Sequence, residues 1–354
     1  MENIIRFTTS DLAQITNYRC GEVKFGEQIQ VIPPQHDVVS FLQNSEAPFV
    51  LVGIPEDIGV RANFGRRGAH TAWETALQSI ANIQHNRFCK GYSLVILGKV
   101  DVEKQMQAME NLDFKSTEDR VIMSALVSEI DKEVVHVIST IISTGKTPII
   151  IGGGHNNAYG NIKGTALAKG KPINAINFDA HSDFRILEGR HSGNGFSYAY
   201  EEGFLKKYFI FGLHENYTSK SVLSTLKKIE DRVRYVTYDS INIRKEKEFE
   251  QEMIQALDFI NQESFGVEID LGSIPNIASS TMTLTGFSVE ELRRFVSFFG
   301  KFQNATYLHL CEGAPDLGEE KNDHLIGKII GHLITDFIKS NNQNENQQSH
   351  VELK

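Results

Sequence analysis

The chain has 354 residues, 40% of them hydrophobic and 23% charged, so it can bury a sizeable core without disulfides or structural metals to staple it. Its formal charge of -9 is spread over interspersed acidic and basic residues with no Lys/Arg run, which argues against nucleic acid as a partner. Three widely separated cysteines in no CxxC pair (Cys20, Cys89, Cys311), no secretory-type N-terminus and no stretch near the ~18 apolar residues of a membrane span place the expected location in the cytoplasm.

The first 35 residues give no clear pattern. After them, short apolar runs recur: "FVLVG" at 49–53, "SLVILG" at 93–98, "TPIIIGGG" at 147–154, "INAINFD" at 173–179, "YFIFG" at 208–212, "VRYVTY" at 233–238, "FGVEID" at 265–270 and "TYLHLCEG" at 306–313. Most are almost continuously apolar, as strands buried on both faces should be. Helical patterns lie between them, the longest opening at Ser116 as a candidate N-cap and closing at Gly145. Further helical patterns run through 156–170, 248–261, 288–300 and 322–340. Strands alternating with helices predict βαβ units and a mainly parallel sheet. No Pro-, Gly- or Ser-rich linker divides the chain, so residues 1–340 are expected to form one domain. The tail "NNQNENQQSHVELK", 341–354, has little to bury and is expected to be disordered.

In an α/β sheet, functional groups gather at the carboxyl ends of strands. Three such ends carry candidate ligands. "IIIGGGHNN" sets His155 after a glycine turn, where an imidazole can aim into the crevice, although a lone histidine there is commonly structural. "NFDAHSDFR" alternates Asp179, His181 and Asp183 with small residues. If the extended backbone persists past Phe178, a period of two points all three to one side; a solvated loop with a capping Asp is the alternative. "FGVEIDLGSIP" places Glu268 and Asp270 on one face of a buried strand, where they need a metal or an Arg/Lys partner to offset desolvation. This inventory of carboxylates and imidazoles favours Mn²⁺ over Zn²⁺. Its size suits two ions sharing bridging carboxylates, a pair that activates water near neutral pH.

The three motifs, in this order, resemble those of the ureohydrolase family of arginase, agmatinase and formimidoylglutamase: a GGDH-like turn, a DAHxD run and a later DxD strand. The resemblance spans about residues 49–340. It implies a three-layer α/β/α arginase-like fold with a mainly parallel sheet of about eight strands, two Mn²⁺ per subunit and a trimeric or hexameric homo-oligomer. It also implies ligand roles: His155 and Asp183 on one ion, His181 and Asp270 on the other, Asp179 and Glu268 bridging. "HLCEGAP" resembles the family's terminal strand, which sets Glu312 where a carboxylate holds the substrate's guanidinium or amidinium. Three details resemble formimidoylglutamase in particular: the segment "GIPEDIGVRANFGRRGAHTAWETAL" at 53–77, Arg185 directly after the metal run, and Phe196 where arginase would carry a shuttling His.

The activity implied by the resemblance is hydrolysis of the formimidoyl C–N bond of N-formimidoyl-L-glutamate to L-glutamate and formamide, as in histidine degradation. Asp183 or Asp270 would pass the proton to the departing nitrogen, and Glu312 would stabilise the amidine. The substrate's two carboxylates call for Arg at the opposite pole, with Arg61, Arg66, Arg67, Arg185 and Arg190 available and Asn63 and Asn194 as further binding candidates. Two other readings stand beside this one: an arginase- or agmatinase-type hydrolase of a guanidino compound that releases urea, and a metal-poor pseudoenzyme serving as a binding subunit. The second is motivated by departures from the family pattern. Glu268 stands where the family has Asp, Ser273 and Ile274 replace a following Asp-Pro, and Gly154 replaces an Asp before the ligand His.

Overall fold

The computed structural model describes residues 1, 3–317 and 320–351, with side chains placed except at 320–323 and 342–351. Ten strands form one sheet: β1 (Ile4–Arg6), β2 (Gln30–Val31), β3 (Phe49–Gly53), β4 (Leu94–Val100), β5 (Thr147–Ile151), β6 (Ile173–Phe178), β7 (Leu205–Leu213), β8 (Val233–Thr237), β9 (Phe265–Asp270) and β10 (Ala305–Cys311). The order is β1-β4-β3-β5-β10-β9-β6-β7-β8, with β2 beside β4, and every pairing is parallel except β1 with β4. The expected eight strands are all present, and the count of about eight is corrected to ten. The two additional strands, three and two residues long, lie in the opening segment, where runs this short carry no readable period.

Helices cover both faces and divide the core into two apolar layers, one containing Phe178, Phe211 and Phe295, the other Val134, Ile138, Tyr208 and Tyr307. Every residue of β3, β6, β9 and β10 is buried, which is why those runs read as continuous rather than alternating. The long helix spans Thr117–Ser143, and Ser116 caps it by accepting the Asp119 N–H. The C-terminal helix runs Glu320–Val351, so the backbone of the polar stretch continues helical to Val351, and residues 352–354 lie outside those described.

Arg190, itself buried, ties the helical layer to the loops above the sheet. It holds Asp131 of the long helix through Nε–Oδ2 at 2.8 Å and Nη2–Oδ1 at 3.1 Å, and donates to the Asn156 carbonyl and the Asn194 side chain at 2.8 Å each. Its guanidinium lies between the rings of Tyr159 and Tyr198, 4.8 and 5.0 Å from their centroids. The loop after β3 is closed by another pair, in which Asp57 Oδ2 lies 2.6 Å from His70 Nδ1 and accepts the Gly68 N–H at 2.8 Å.

The Asp57 hydrogen bond holds His70 above its ordinary value, against the opposing effect of burial. A histidine raised on folding stabilises the fold fully below its unfolded value of about 6.5, and that contribution fades as pH rises through the folded value. Urea unfolding of His70→Gln should therefore show a deficit of about 1–2 kcal/mol at pH 6 that narrows towards pH 9. A deficit that is constant across this range would show that the pair carries no proton linkage.

Candidate metal centre and active-site cleft

The four central strands β5, β10, β9 and β6 end side by side, and each delivers an ionisable side chain there: His155, Glu312, Asp270 and Asp179 respectively. After β5, Gly152 and Gly153 adopt φ of 87° and 76°, a left-handed turn that glycine makes without strain and that leads straight into the short helical turn bearing His155. After β6 the backbone does not stay extended as the alternation predicts. It bends at Ala180 and His181, and Asp183 takes φ of 44°, so the three side chains meet by a turn and not by a period of two. Glu312 likewise sits at φ of 63°. Left-handed backbone at non-glycine residues costs on the order of 1–3 kcal/mol and clusters at functional sites.

Asp179 is the hub. Its Oδ2 lies 3.2 Å from His155 Nδ1 and its Oδ1 lies 3.5 Å from His181 Nδ1. Asp183 Oδ2 is 2.8 Å from the same nitrogen of His155, and Asp270 Oδ2 is 4.0 Å from that of His181. His155, Asp179 and Asp270 can each offer one ligand atom within 4.8 Å of the others. His155 is fully buried, yet neither ring nitrogen has a hydrogen-bond partner. The carboxylate oxygens crowd the imidazole without lying along an N–H direction, so the donors converge on shared space as they would around a cation. An oxygen-rich set with imidazole suits a hard to borderline divalent ion. A second cluster, His155, His309 and Cys311, meets the same 4.8 Å limit. This cluster is all buried, and burial pushes the Cys311 thiol well up.

The electrostatics divide the acids. Burial alone would raise Asp179, but the adjacent imidazoles of His155 and His181 outweigh it and hold Asp179 well below the usual carboxylate range. Asp183 and Asp270 are pushed up, first by burial and then by the charge of Asp179. Burial likewise lifts Glu312 to about 7, although its Oε1 accepts the His155 backbone N–H at 2.8 Å and its Oε2 accepts the Ser280 hydroxyl.

Glu268, expected to bridge, has Tyr307, His309 and His155 as its neighbours. Its Oε1 accepts the Tyr307 hydroxyl at 2.7 Å and its Oε2 pairs with His309 Nδ1 at 2.6 Å, while the same Oε2 stands 3.5 Å from His155 Nε2. Burial would raise this acid, and the His309 charge and hydrogen bond, with His155 nearby, bring it to about 2. Tyr307 and His309 are functional neighbours that none of the three motifs contains. The sequence does carry a signal for them, the alternating polar groups Tyr307, His309 and Cys311 in a strand that is otherwise apolar.

A cavity of about 660 Å³ opens over these groups, lined by Asp183, Asp270 and Glu312 and, at its exposed side, by Asn63 and Arg185. Of the other binding candidates, Arg61 donates to the Leu112 carbonyl, Arg66 to the carbonyls of Ser279 and Ser280, and Asn194 is buried against Arg190. None of the three lines the cavity. Arg67 pairs with Glu110, and Arg190 is the clamp described above. Two contributors stand outside the sequence expectations. Tyr217 lines the cavity and stacks on His181, with centroids 5.3 Å apart. Glu56, fully buried, accepts from the Asn156 and Asn157 side chains and from the Gly154 N–H at 3.0, 2.6 and 3.2 Å, and so holds the turn that carries His155.

A mainly parallel α/β sheet whose central strand ends gather acids and imidazoles beneath an acid-lined cleft is the architecture of a metal-dependent hydrolase. The arginase family model matches residues 47–335, and the chain belongs to the arginase family. It is similar to the formimidoylglutamase of Macrococcus caseolyticus, 26% identical over 286 residues covering 80% of this chain and 82% of that protein. It is also similar to the formimidoylglutamase of Chromobacterium violaceum, 26% identical over 55% of this chain and 57% of that protein. Among solved structures, formimidoylglutamase from Bacillus subtilis superposes with a TM-score of 0.72 at 18% identity, covering 92% of this chain and 94% of that one. Trypanosoma cruzi formiminoglutamase with Mn²⁺ gives 0.67 at 18% identity, covering 89% and 98%. The described residues contain no helix long and apolar enough to cross a membrane.

Because Asp179 presents one oxygen to each histidine, Asp179→Asn should weaken Mn²⁺ binding by roughly 100-fold or more in calorimetry, with the far-ultraviolet dichroism unchanged. Wild-type affinity in that variant would remove Asp179 from the metal centre.

Proposed function

We propose that the chain is a dimanganese formimidoylglutamase of histidine degradation, cleaving N-formimidoyl-L-glutamate to L-glutamate and formamide. The observation that carries this reading is the cleft lining: part-buried Asp183 with buried Asp270 and Glu312, and exposed Arg185 paired with Glu188. A formimidoyl group is cationic and its glutamate tail anionic, so the substrate suits a lining that carries both acids and an arginine. The likeness to formimidoylglutamases supports the same choice. Phe196 adds to it, being fully buried with its ring centroid 5.2 Å from that of His155 and no proton-carrying group of its own.

In this reading His155, Asp179 and Asp183 hold one ion, and His181, Asp179 and Asp270 the other. A bound ion pair supplies Lewis acidity and activates water. Water adds to the formimidoyl carbon as Asp183 or Asp270 takes its proton, and the same acid passes that proton to the departing nitrogen as the C–N bond to glutamate breaks. Glu312, anchored by the His155 N–H and Ser280, faces the amidinium. Arg185 receives a substrate carboxylate, with Nη1 3.1 Å from Asn63 Oδ1 and Nη2 2.6 Å from Glu188 Oε1 in the free chain. The same reading carries a trimeric or hexameric homo-oligomer working in the cytoplasm.

Turnover of N-formimidoyl-L-glutamate with formamide and glutamate released, and no urea from arginine or agmatine, is the expected result of a substrate panel run with Mn²⁺ and with chelator. Urea release would instead assign a guanidino substrate. Arg185→Ala should raise KM roughly 10- to 100-fold with a smaller change in kcat, as befits loss of one charge-assisted contact. Glu188→Gln should lower KM by freeing the guanidinium.

A further inference from the structure

We propose that Glu268 is a positioning residue and not a bridging ligand: it orients His155 from behind, and the shared acid of the metal centre is Asp179 alone. The proposal rests on the metal-centre reading above.

The geometry is built from the strand register. On parallel β9 and β10, Glu268 lies beside His309, and Gly266 lies beside Tyr307. A Cβ on Gly266 would run into the Tyr307 ring, so only a glycine lets that ring lean across β9 and set its hydroxyl 2.7 Å from Glu268 Oε1. His309 takes Oε2 at 2.6 Å. Both oxygens are thereby drawn along the sheet, away from the space between His155 Nδ1 and His181 Nδ1 that Asp179 spans. The extra methylene that distinguishes Glu from Asp makes this reach possible, since an Asp at 268 would end more than an ångström short of both partners.

Oε2 then faces His155 Nε2 at 3.5 Å, half an ångström beyond a usual hydrogen bond, and that buried nitrogen has no hydrogen-bond partner. Cys311 also lies within ligand distance of His155, but a thiol is the weaker acceptor. A proton held on Nε2 by Glu268 leaves Nδ1 bare towards Asp179 and Asp183. This is the role that a carboxylate behind a ligating imidazole performs, fixing both tautomer and ring orientation. Asn177 supports the hub in parallel, donating from Nδ2 to Asp179 Oδ2 at 3.0 Å and to the Tyr208 hydroxyl at 2.8 Å.

The two roles predict opposite orders of variants in Mn²⁺ calorimetry and metal analysis of the purified full chain. As a positioning residue, Glu268→Gln keeps the wild-type number of ions and loses roughly 10-fold in affinity. Glu268→Asp, though it restores the family's residue, falls further because it cannot reach Tyr307, His309 or Nε2. As a bridging ligand, Glu268→Asp would bind as tightly as wild type or tighter, and Glu268→Gln would lose one ion per chain. That order, or unchanged affinity in both variants, overturns the proposal. Tyr307→Phe, which frees Oε1 while keeping the ring, is the second arm: a several-fold loss of affinity at unchanged stoichiometry is expected, and no change overturns the tether. In ¹⁵N-histidine spectra of the Zn²⁺-loaded protein, the His155 proton should reside on Nε2 in wild type and Glu268→Gln. A proton on Nδ1 in wild type overturns the proposal, and so does a Glu268→Gln variant with a lower melting temperature and unchanged affinity, the mark of a merely structural residue. A wild-type chain that binds no Mn²⁺ would fail the metal-centre reading itself, a result separate from any ordering of variants.

Discussion

Several carboxylates share a desolvated crevice at the end of this sheet, and the surrounding structure is organised around keeping them there. Asp179 and Asp270 approach within 4.8 Å. Two like charges at that distance repel by about 3–4 kcal/mol in a medium of intermediate dielectric. Part of the response is to leave Asp183, Asp270 and Glu312 with raised affinity for protons. The rest is supplied by donors built into the loops: Asp270 accepts the Gly272 N–H at 2.6 Å, Asp179 the His181 N–H at 2.7 Å, and Glu312 the His155 N–H at 2.8 Å. Asp270, Asp179 and Glu312 are thus bonded to backbone belonging to the site itself. The loops cannot relax without unsatisfying an acid, and the acids cannot separate without unmaking a loop.

Such an arrangement needs rigid walls, and the residues that read as substrate contacts in the sequence supply several of them. Arg190 joins Asp131 on the long helix to Asn156 and Asn194, which couples the turn after β5 to the loop after β6. Arg66 fastens the carbonyls of Ser279 and Ser280, and Ser280 in turn positions Glu312. Glu56 occupies the underside of the His155 turn, beside Gly154, where the sequence lacks the family's Asp. With these anchors in place, the left-handed backbone at Asp183 and Glu312 is over-determined by its neighbours, the condition under which local strain persists.

The layer architecture is legible in the sequence because burial writes itself into composition. β3, β6, β9 and β10 are covered on both faces and therefore appear as unbroken apolar runs, and the Ser116 cap marks its helix by local chemistry. β1 and β2 are not legible, since strands of two or three residues are held by pairing with β4, a partner distant in the chain. At the site, the identity of the clustered residues is readable from motif order, whereas their directions are not. Asp183 reaches His155 through a bend that no alternation encodes. The arginines show the same limit: five stand near the right loops, and only Arg185 lines the cleft, because long side chains choose among partners that are far apart in sequence.

Glu268 marks the point where residue-by-residue transfer from a family fails for a physical reason. Position 268 reads as a ligand because it occupies the ligand's place in the motif and carries the same charge. Its role in the folded chain is set by Gly266 beside Tyr307 and by His309 across the strand pair, none of which belongs to that motif. One added methylene lets the carboxylate choose between two sets of neighbours, the ion space in front of His155 and the hydroxyl–imidazole pair behind it. The second set offers two hydrogen bonds in a fully buried environment, where an unpaired charge costs several kcal/mol. With both oxygens satisfied by Tyr307 and His309, the positioning role proposed for Glu268 leaves Asp179 to span the two histidines.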